Sequence, residues 1–346
     1  KPLHRKQMNV PRHSSLLLPN TPRYQTIRGH AMLLCSALVL QWQAPFAGGQ
    51  TVWTNRVGDS LWATATDWST GTLPGTSTAV LFNSTYVSTN QTINLGNVNR
   101  SVGTVTFTSA LNYTFNNGTN RFQFNTAGTN FTQNGSGNIV INSAIYLANG
   151  LTLAGSGAGT VTFNGSISDN SGTDALTMNG AFTLVLNGTN NTQDGTVINS
   201  GTVEFGSNSV SSNGLALNGG TVRAGGGARS LSNAVTVGGN FTIGGTNDLT
   251  LSGTIALGGT TRDITVDNTG TSTFSGVVSN GALIKDGAGT LVLSGTNTYA
   301  GATSINAGIL QISTDANLGA APAAATAGQL YFNGGTLANT ASMTLS

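Results

Sequence analysis

From about position 50 onward, short runs of the chain alternate apolar residues with small polar ones, as in 104–108 (TVTFT), 241–243 (FTI) and 249–251 (LTL). A period of two, filled by Val, Ile, Phe, Leu and Thr, is typical of strands that bury one face. Asn-Gly and Gly-Gly pairs lie between the runs and supply the positive φ angles that tight turns need. The pattern predicts an all-β protein. Its nearest approach to a helix, the Ala-rich stretch 320–327, is interrupted by Pro322.

The chain also repeats itself. The run from Leu184 (LVLNGTN) matches the run from Leu291 (LVLSGTN) 107 residues later, and the match continues without a gap from 198–201 to 305–308. A second match pairs 217–222 (LNGGTV) with 332–337 (FNGGTL) at an offset of 115 residues. The difference of eight residues indicates an insertion, which stacked repeats accommodate in their loops.

Repeats of this composition predict a right-handed parallel β-helix, a solenoid. A short coil rich in Gly, Asn and Thr cannot bury its apolar side alone, whereas stacked coils pair every strand and share one core. Coils of roughly 20–25 residues would place about a dozen turns after position 50, in a rod of about 60 Å. Thr and Asn would face outward or form ladders at the turns. The predicted inward residues are Leu291, Leu293, Ile305, Leu310 and Ile312.

An antiparallel β-sandwich array is the main alternative fold. It would explain the strands and turns equally well, but not a long ungapped repeat in a chain with only 7% charged residues. Directly stacked like charges repel one another, so a solenoid favours a low charge content.

The first 50 positions differ from the rest. They hold six of the thirteen Lys and Arg residues, all three histidines and Cys35, but no acid. Arg23 and Arg28 precede the apolar run 31–40, and small residues follow up to Gly49. This arrangement predicts a signal peptide, with a buried core helix as the alternative, and the run is too short to cross a bilayer. The remainder would carry a net charge of −4, and it would offer no thiol or imidazole chemistry.

The segment 283–311 (LIKDGAGTLVLSGTNTYAGATSINAGILQ) resembles the autotransporter-associated β-strand repeat, also called the passenger-associated transport repeat. The segment 176–205 resembles it more weakly, with Asn179 before the glycine, Thr192 at the tyrosine position and Asp194 at the next glycine. The matching residues of the stronger copy are Lys285, Gly287, Gly289, Thr290, Leu291, Leu293, Ser294, Gly295, Asn297, Thr298, Tyr299, Gly301, Thr303, Gly308 and Leu310.

The resemblance implies a secreted passenger that reaches the cell surface of a Gram-negative-type bacterium, often joined to a C-terminal outer-membrane barrel. No barrel pattern precedes Ser346, so we expect the translocator outside this sequence.

We predict three parts: a signal peptide and upstream segment (1–49), a Trp-rich N-terminal cap (50–84), and a β-helix (85–346) that is truncated at its C-terminus. The clearest repeats would be 176–206 and 283–313.

Few residues offer candidate chemistry. Clustered carboxylates would be needed for a polysaccharide-cleaving enzyme. We interpret the closest groupings as solvated surface or turn residues, and Glu204 as a surface residue without a partner. These groupings are Arg262-Asp263 with Asp267, Asp169 with Asp174, and Lys285-Asp286.

Trp53, Trp62 and Trp68 could form a sugar-binding platform, but an N-terminal cap is the favoured interpretation. Gly225–Gly227 and Gly238-Gly239 lack the residues of a phosphate loop.

We therefore expect a structural or adhesive passenger with no catalytic, cofactor-binding or metal-binding residues. Nucleic acid is not expected as a partner, whereas surface glycans or other cell-surface molecules are candidates. The alternative is a carbohydrate-active or carbohydrate-binding β-helix protein.

Overall fold

The computed structural model describes residues 49–116, 118–169, 174–189, 191–322 and 327–342. The predicted signal peptide lies outside these residues, except for Gly49. The described residues belong to one compact unit and contain two short 3-10 helices, at Ala65–Asp67 and Asp315–Leu318. In chain order their strands are β1 (Thr51–Val52), β2 (Ala79–Phe82), β3 (Gln91–Asn94), β4 (Arg100–Val102), β5 (Thr104–Phe107), β6 (Tyr113–Asn116), β7 (Arg121–Phe124), β8 (Thr129–Gln133), β9 (Ile139–Ile141), β10 (Ala144–Leu147), β11 (Leu151–Ala154), β12 (Thr160–Phe163), β13 (Ile167–Asp169), β14 (Leu176–Met178), β15 (Thr183–Leu186), β16 (Gly195–Ile198), β17 (Thr202–Phe205), β18 (Gly214–Leu217), β19 (Thr221–Ala224), β20 (Arg229–Leu231), β21 (Val235–Val237), β22 (Phe241–Ile243), β23 (Leu249–Leu251), β24 (Ile255–Val266), β25 (Thr271–Phe274), β26 (Val278–Asp286), β27 (Thr290–Leu293), β28 (Thr303–Ile305), β29 (Ile309–Ile312), β30 (Leu330–Phe332) and β31 (Thr336–Asn339).

The strands stack as a parallel β-solenoid of about ten turns. Every pairing between these strands is parallel, and a residue's partner lies one coil further along the chain. Gly195 pairs with Gly214 after 19 residues, whereas Thr303 pairs with Leu330 after 27. The parallel-solenoid prediction is confirmed and the antiparallel alternative is wrong. The number of turns is close to the dozen predicted from the coil length.

Three ladders of strands run along the solenoid. The first is β1-β2-β5-β8-β11-β14-β16-β18-β21-β24-β26. The second is β3-β6-β9-β12-β15-β17-β19-β22-β24-β26-β28-β30. β24 and β26 belong to both ladders because each runs round the corner between them.

The third ladder is interrupted in the middle of the solenoid. It consists of β4-β7-β10-β13 and, further on, β20-β23-β25-β27-β29-β31. Between these two stretches the described residues 187–189, 191–194 and 206–213 form loops instead of strands. The interruption shapes the surface described below as the candidate site.

Alternate residues of each strand face inward and build a single apolar core. The column Leu184, Val203 and Val222 joins β15, β17 and β19, and all three residues are completely buried. The five residues that the sequence predicts as inward are also buried, with exposed fractions of 0–1%. Large aromatic rings fill the N-terminal half of the core, where Phe82 stacks on Phe107 with a centroid distance of 4.9 Å.

Asparagine side chains form ladders at two corners, as predicted. At the end of the second-ladder strands, amide bonds of 2.6–2.8 Å link Asn116, Asn142, Asn164 and Asn187. At the end of the first-ladder strands, similar bonds link Asn179, Asn199 and Asn218. Each row ends at a glycine, Gly206 or Gly238, where a Cβ atom would collide with the last amide oxygen.

The two sequence repeats share strand registers but lie on different faces. In the first copy, Leu176 pairs with Thr196 on the first ladder. In the second copy, the corresponding pair is Leu283 with Thr303, which lies on the second ladder. The intervening coils contain an additional strand, so the second copy is displaced by one face of the solenoid.

Candidate functional site

The structure buries the lysine of the predicted pair Lys285-Asp286. Its Nζ atom donates hydrogen bonds to three main-chain carbonyls, those of Asp286, Gly287 and Ala307, at 2.9, 2.8 and 3.1 Å. Burial lowers the pKa of Lys285, and the nearby carboxylates of Asp286 and Asp267 oppose this effect. The expectation of a solvated lysine is therefore wrong, because the lysine closes a corner of the core.

The grouping of Arg262, Asp263 and Asp267 does not form an ion pair. Arg262 donates its Nε–H to the carbonyl of Leu257 at 3.0 Å. The Oδ1 atom of Asp263 is buried without a hydrogen-bond partner, and burial, together with the charge of Asp286, raises the pKa of this carboxyl. The arrangement offers no paired acid and base.

Glu204 has a partner, which the sequence analysis missed. It lies opposite Arg223 in the register of β17 and β19, and their side chains form an ion pair at 2.7 Å. The coil length of 19 residues would have indicated this pair. Both side chains are partly exposed, so the pair contributes at most about 1 kcal/mol.

The three tryptophans of the N-terminal segment are completely buried. Trp62 and Trp68 pack edge to face at 4.6 Å, and Trp53 packs against Trp68 at 4.9 Å. The indole of Trp68 donates to the carbonyl of Trp62 at 2.9 Å. Since their faces are covered by other rings, these residues do not form a sugar-binding platform.

The predicted grouping of Asp169 and Asp174 gains a third carboxylate, from Asp194. The Asp194 amide donates to Oδ2 of Asp169 at 3.0 Å, and the Asp174 amide donates to Oδ2 of Asp194 at 3.2 Å. Asp174 is only 6% exposed, and its Oδ2 atom has no hydrogen-bond partner. Burial raises the pKa of Asp174, and the charges of Asp169 and Asp194 raise it further. The expectation of a solvated Asp174 is wrong.

Asp174 and Asp194 begin a polar column along the edge of the first ladder. The register places Asp174, Asp194, Asn213 and Asn233 at equivalent positions of successive coils. Asn213 donates its amide to Oδ1 of Asp194 at 3.1 Å, and Asn233 donates to the main-chain oxygen of Asn213 at 2.6 Å. The coil spacing of about 4.8 Å gives the column a length of about 14 Å. We call this row of four residues the polar column.

A shallow groove follows the polar column on both sides. On one side it has a volume of about 360 Å³ and a floor of small residues that includes Gly195, Gly214 and Ala216. On the other it has a volume of about 530 Å³, against the loop 208–213. The groove exists because the third ladder is interrupted here and a loop replaces its strand. Its lining contains no aromatic or basic side chain.

Several polar atoms of the groove remain free for a ligand. In the described part of the chain, Oδ1 of Asn213 and Oδ1 of Asn233 accept no hydrogen bond, although the amide nitrogens of both residues donate. Asn208 uses its Oδ1 atom to accept from the Ser230 amide, and its own amide nitrogen has no acceptor. The groove therefore presents both donors and acceptors.

The described residues contain no group of three or more His, Cys, Asp or Glu residues arranged to hold a metal ion. Within the same ranges, no helix is long and apolar enough to cross a membrane.

Comparison with known proteins agrees with the repeats. Residues 176–205 and 283–312 match the passenger-associated-transport-repeat family. The chain is also 32% identical, over 240 residues, to the adhesin BmaC autotransporter of Brucella suis biovar 1 (strain 1330). This alignment covers 67% of the chain but only 6% of the relative's length. No solved structure matches the chain. By its two repeats and this similarity, the chain belongs to the passenger-associated-transport-repeat family.

Proposed function

We propose that this chain is an adhesive segment of a surface-displayed autotransporter passenger and has no catalytic activity of its own. The observation that carries the proposal is the stack of parallel coils around one apolar core, from β1 to β31. Such a stack extends in one direction and holds every coil at a fixed distance from the next. It suits a protein that presents contacts away from a cell.

The family supports the same location. Its repeats belong to passengers, and the relative is named as an autotransporter adhesin. The protein is thus secreted and cell-surface associated, and an outer-membrane translocator is its expected partner. The adhesive role itself is carried over from a relative of which this chain spans 6%, so adhesion by this chain is the part to be tested.

The absence of catalysis is argued from the geometry of the charged groups. Glycoside hydrolysis requires two carboxyl groups on opposite sides of the scissile bond. The Oδ2 atoms of Asp169 and Asp194 are each engaged by a main-chain amide, and Asp174 is largely covered. The Nζ atom of Lys285 is already engaged in hydrogen bonds to three main-chain carbonyls. This arrangement supports a structural role for these charges.

The raised pKa of Asp174 favours one alternative, a carbohydrate-active protein. A carboxyl group whose pKa is raised is better suited to act as a general acid. In that case Asp174 would protonate a leaving group, and its replacement by Asn would abolish cleavage.

Two assays of the purified chain test the proposal. Beads coated with the chain should be retained on host-cell monolayers more than beads coated with the same chain after heat denaturation. A panel of polysaccharides incubated with the chain should release no new reducing ends. Retention equal to that of the denatured control would contradict adhesion. Reproducible cleavage that Asp174→Asn abolishes would establish the enzymatic alternative.

A further inference from the structure

We propose that the groove along the polar column binds a neutral polysaccharide, whose hydroxyl groups pair with Asp194, Asn213 and Asn233. The inference rests on the proposed adhesive function and deepens it, because it names a ligand class and a place on the solenoid. It goes beyond the family assignment, which gives no binding residues.

The groove matches the hydrogen-bonding capacity of sugar hydroxyl groups. A sugar hydroxyl both donates and accepts, so a site that binds several of them must offer both functions. The free Oδ1 atoms of Asn213 and Asn233 are acceptors on adjacent coils, and Asn208 supplies an unused amide donor. Asp194 adds the two oxygen acceptors of a carboxyl group to this row. The acceptors recur at the coil spacing of about 4.8 Å, which suits a polymer lying along the solenoid.

The carboxyl group of Asp174 lies at one end of the polar column. Its Oδ2 atom has no donor, although the residue is only 6% exposed. A buried acceptor without a partner costs about 1–3 kcal/mol. Its neighbour Ala175 lines the groove. Asp174 itself does not line the groove, so the sugar contacts remain Asp194, Asn213 and Asn233.

The charge of the site selects a neutral polymer over an acidic one. Asp169, Asp174 and Asp194 are close enough to influence one another, and no Lys or Arg lines the groove. Like charges brought together across an interface cost several kcal/mol. Uronic-acid or sulfated chains should therefore be rejected. Against the loop 208–213, Asn and Ser residues make up most of the wall, which disfavours apolar ligands there.

An extended peptide is also disfavoured as the occupant. Peptides commonly bind β-proteins by adding a strand to a free sheet edge. Here β16, β18 and β21 each pair on both sides within the first ladder, so their backbone groups are already used. The groove offers side chains and small residues, but no open edge.

The experiment measures binding of the full chain to immobilised polysaccharides by biolayer interferometry. The probes are neutral mannan, glucan and galactan, acidic polygalacturonate and heparin, and cationic chitosan. We expect binding to at least one neutral polymer and none to the acidic polymers. The double variant Asn213→Ala/Asn233→Ala should weaken this binding at least tenfold. The matched control Asn199→Ala/Asn218→Ala alters amides of two adjacent coils that follow β16 and β18, at the opposite ends of these strands, and should leave binding unchanged.

A second variant keeps the test independent of folding defects. Ala216 faces outward on the groove floor in β18, and Thr221 faces outward on β19 of the same coil. Ala216→Trp should block binding, whereas Thr221→Trp should not. Circular dichroism and thermal unfolding of each variant verify that the solenoid is intact.

The outcomes separate this inference from the proposed function. Preferential binding to acidic polymers or chitosan, or equal loss in both control variants, overturns the neutral-glycan site. Retention on host cells without binding to any neutral polysaccharide also overturns it, but leaves the adhesive function standing. Loss of both retention and polysaccharide binding refutes the two together.

Discussion

Gln193 in the first repeat occupies the position that Tyr299 occupies in the second. Gln193 donates its Nε2–H to the hydroxyl of Thr196 at 3.2 Å, and the Tyr299 hydroxyl bonds to that of Thr303 at 2.8 Å. The two threonines are equivalent because they pair with equivalent residues of the preceding strands. The ungapped sequence match assigns Thr192 to this position instead, so the loop of the first copy is displaced by one residue.

The same displacement applies to the asparagine two positions earlier. Asn191 accepts from the Ile167 amide at 2.9 Å, and Asn297 accepts from the Val278 amide at 2.8 Å. Both asparagines are buried and anchor their loop to the coil below. The equivalence of the loops therefore follows from hydrogen bonds, not from sequence alignment.

Tyr299 should make the protein sensitive to alkaline pH. Burial raises the pKa of its hydroxyl to about 12, so the folded state retains the proton more tightly than the unfolded state. The free energy of unfolding should accordingly fall as the pH rises between about 10 and 12. Tyr299→Phe should lose about 1 kcal/mol at neutral pH, through its hydrogen bond, and should show a smaller alkaline decrease. Urea titrations at a series of pH values test this, and an unchanged alkaline slope in the variant would contradict it.

Lys285 and Met178 occupy equivalent positions in the two repeats, which suggests a paired substitution. Lys285→Met removes the donor for three carbonyls and should destabilise the protein by about 1–3 kcal/mol. The first repeat has no lysine at this position. There the Ser200 hydroxyl donates a hydrogen bond to the main-chain carbonyl of Gly180 at 3.3 Å.

Adding Ala307→Ser, which reproduces Ser200, should therefore recover part of that loss. A double-mutant cycle from denaturant unfolding measures the coupling between the two sites. If Lys285→Met alone proved neutral or stabilising, the hydrogen bonds of Lys285 would contribute nothing to the fold.

Asp174→Asn should stabilise the free protein at neutral pH. The raised pKa of Asp174 means that its ionised form is disfavoured in the folded state. Its contribution to stability is therefore complete below the unfolded pKa of about 3.8 and is lost as the pH rises through the folded value. The melting temperature of the variant should exceed that of the original chain at pH 7, and the two should converge in acid. The exposed Asp248→Asn serves as the control and should show no such difference.

Trp62→Ala should be among the most damaging single changes. The indole is completely buried between Trp68 and Phe122, and truncation of a buried aromatic residue costs about 3–5 kcal/mol. We expect the Trp cluster to close the N-terminal end of the core, so the loss should expose the first coils. Limited proteolysis with N-terminal sequencing would locate early cleavage there. The neighbouring Leu61, 37% exposed, gives a control: Leu61→Ala should change stability by about 0.5 kcal/mol or less.

The sequence predicts the fold well because the fold depends on periodic features. Alternation places Leu291, Leu293 and Leu310 in the core, and low charge with Asn and Thr at the turns indicates parallel stacking. None of these inferences requires knowing which coil lies beside which. The strand registers of the repeats also follow from the ungapped match.

The polar groups could be predicted less well because their environment depends on neighbouring coils. A lysine in an exposed-looking dipeptide is buried because its strand turns a corner, as Lys285 shows. Glu204 and Arg223 meet only when the coil length is known to be 19 residues. Asp194 joins Asp169 and Asp174 for the same reason, so the polar column could not be identified without the register.

The displacement of the second repeat by one face affects what a binding partner meets. In the first copy the loop after β15 lies next to β13, on the third ladder, because the Thr192 amide bonds to the Ile167 carbonyl. In the second copy the Thr298 amide bonds to the Val278 carbonyl, so the loop lies on the first ladder. Two equivalent motifs thus point in different directions around the axis. A partner approaching from one side contacts only one of them, and duplication of the motif widens the range of directions from which the protein can be bound.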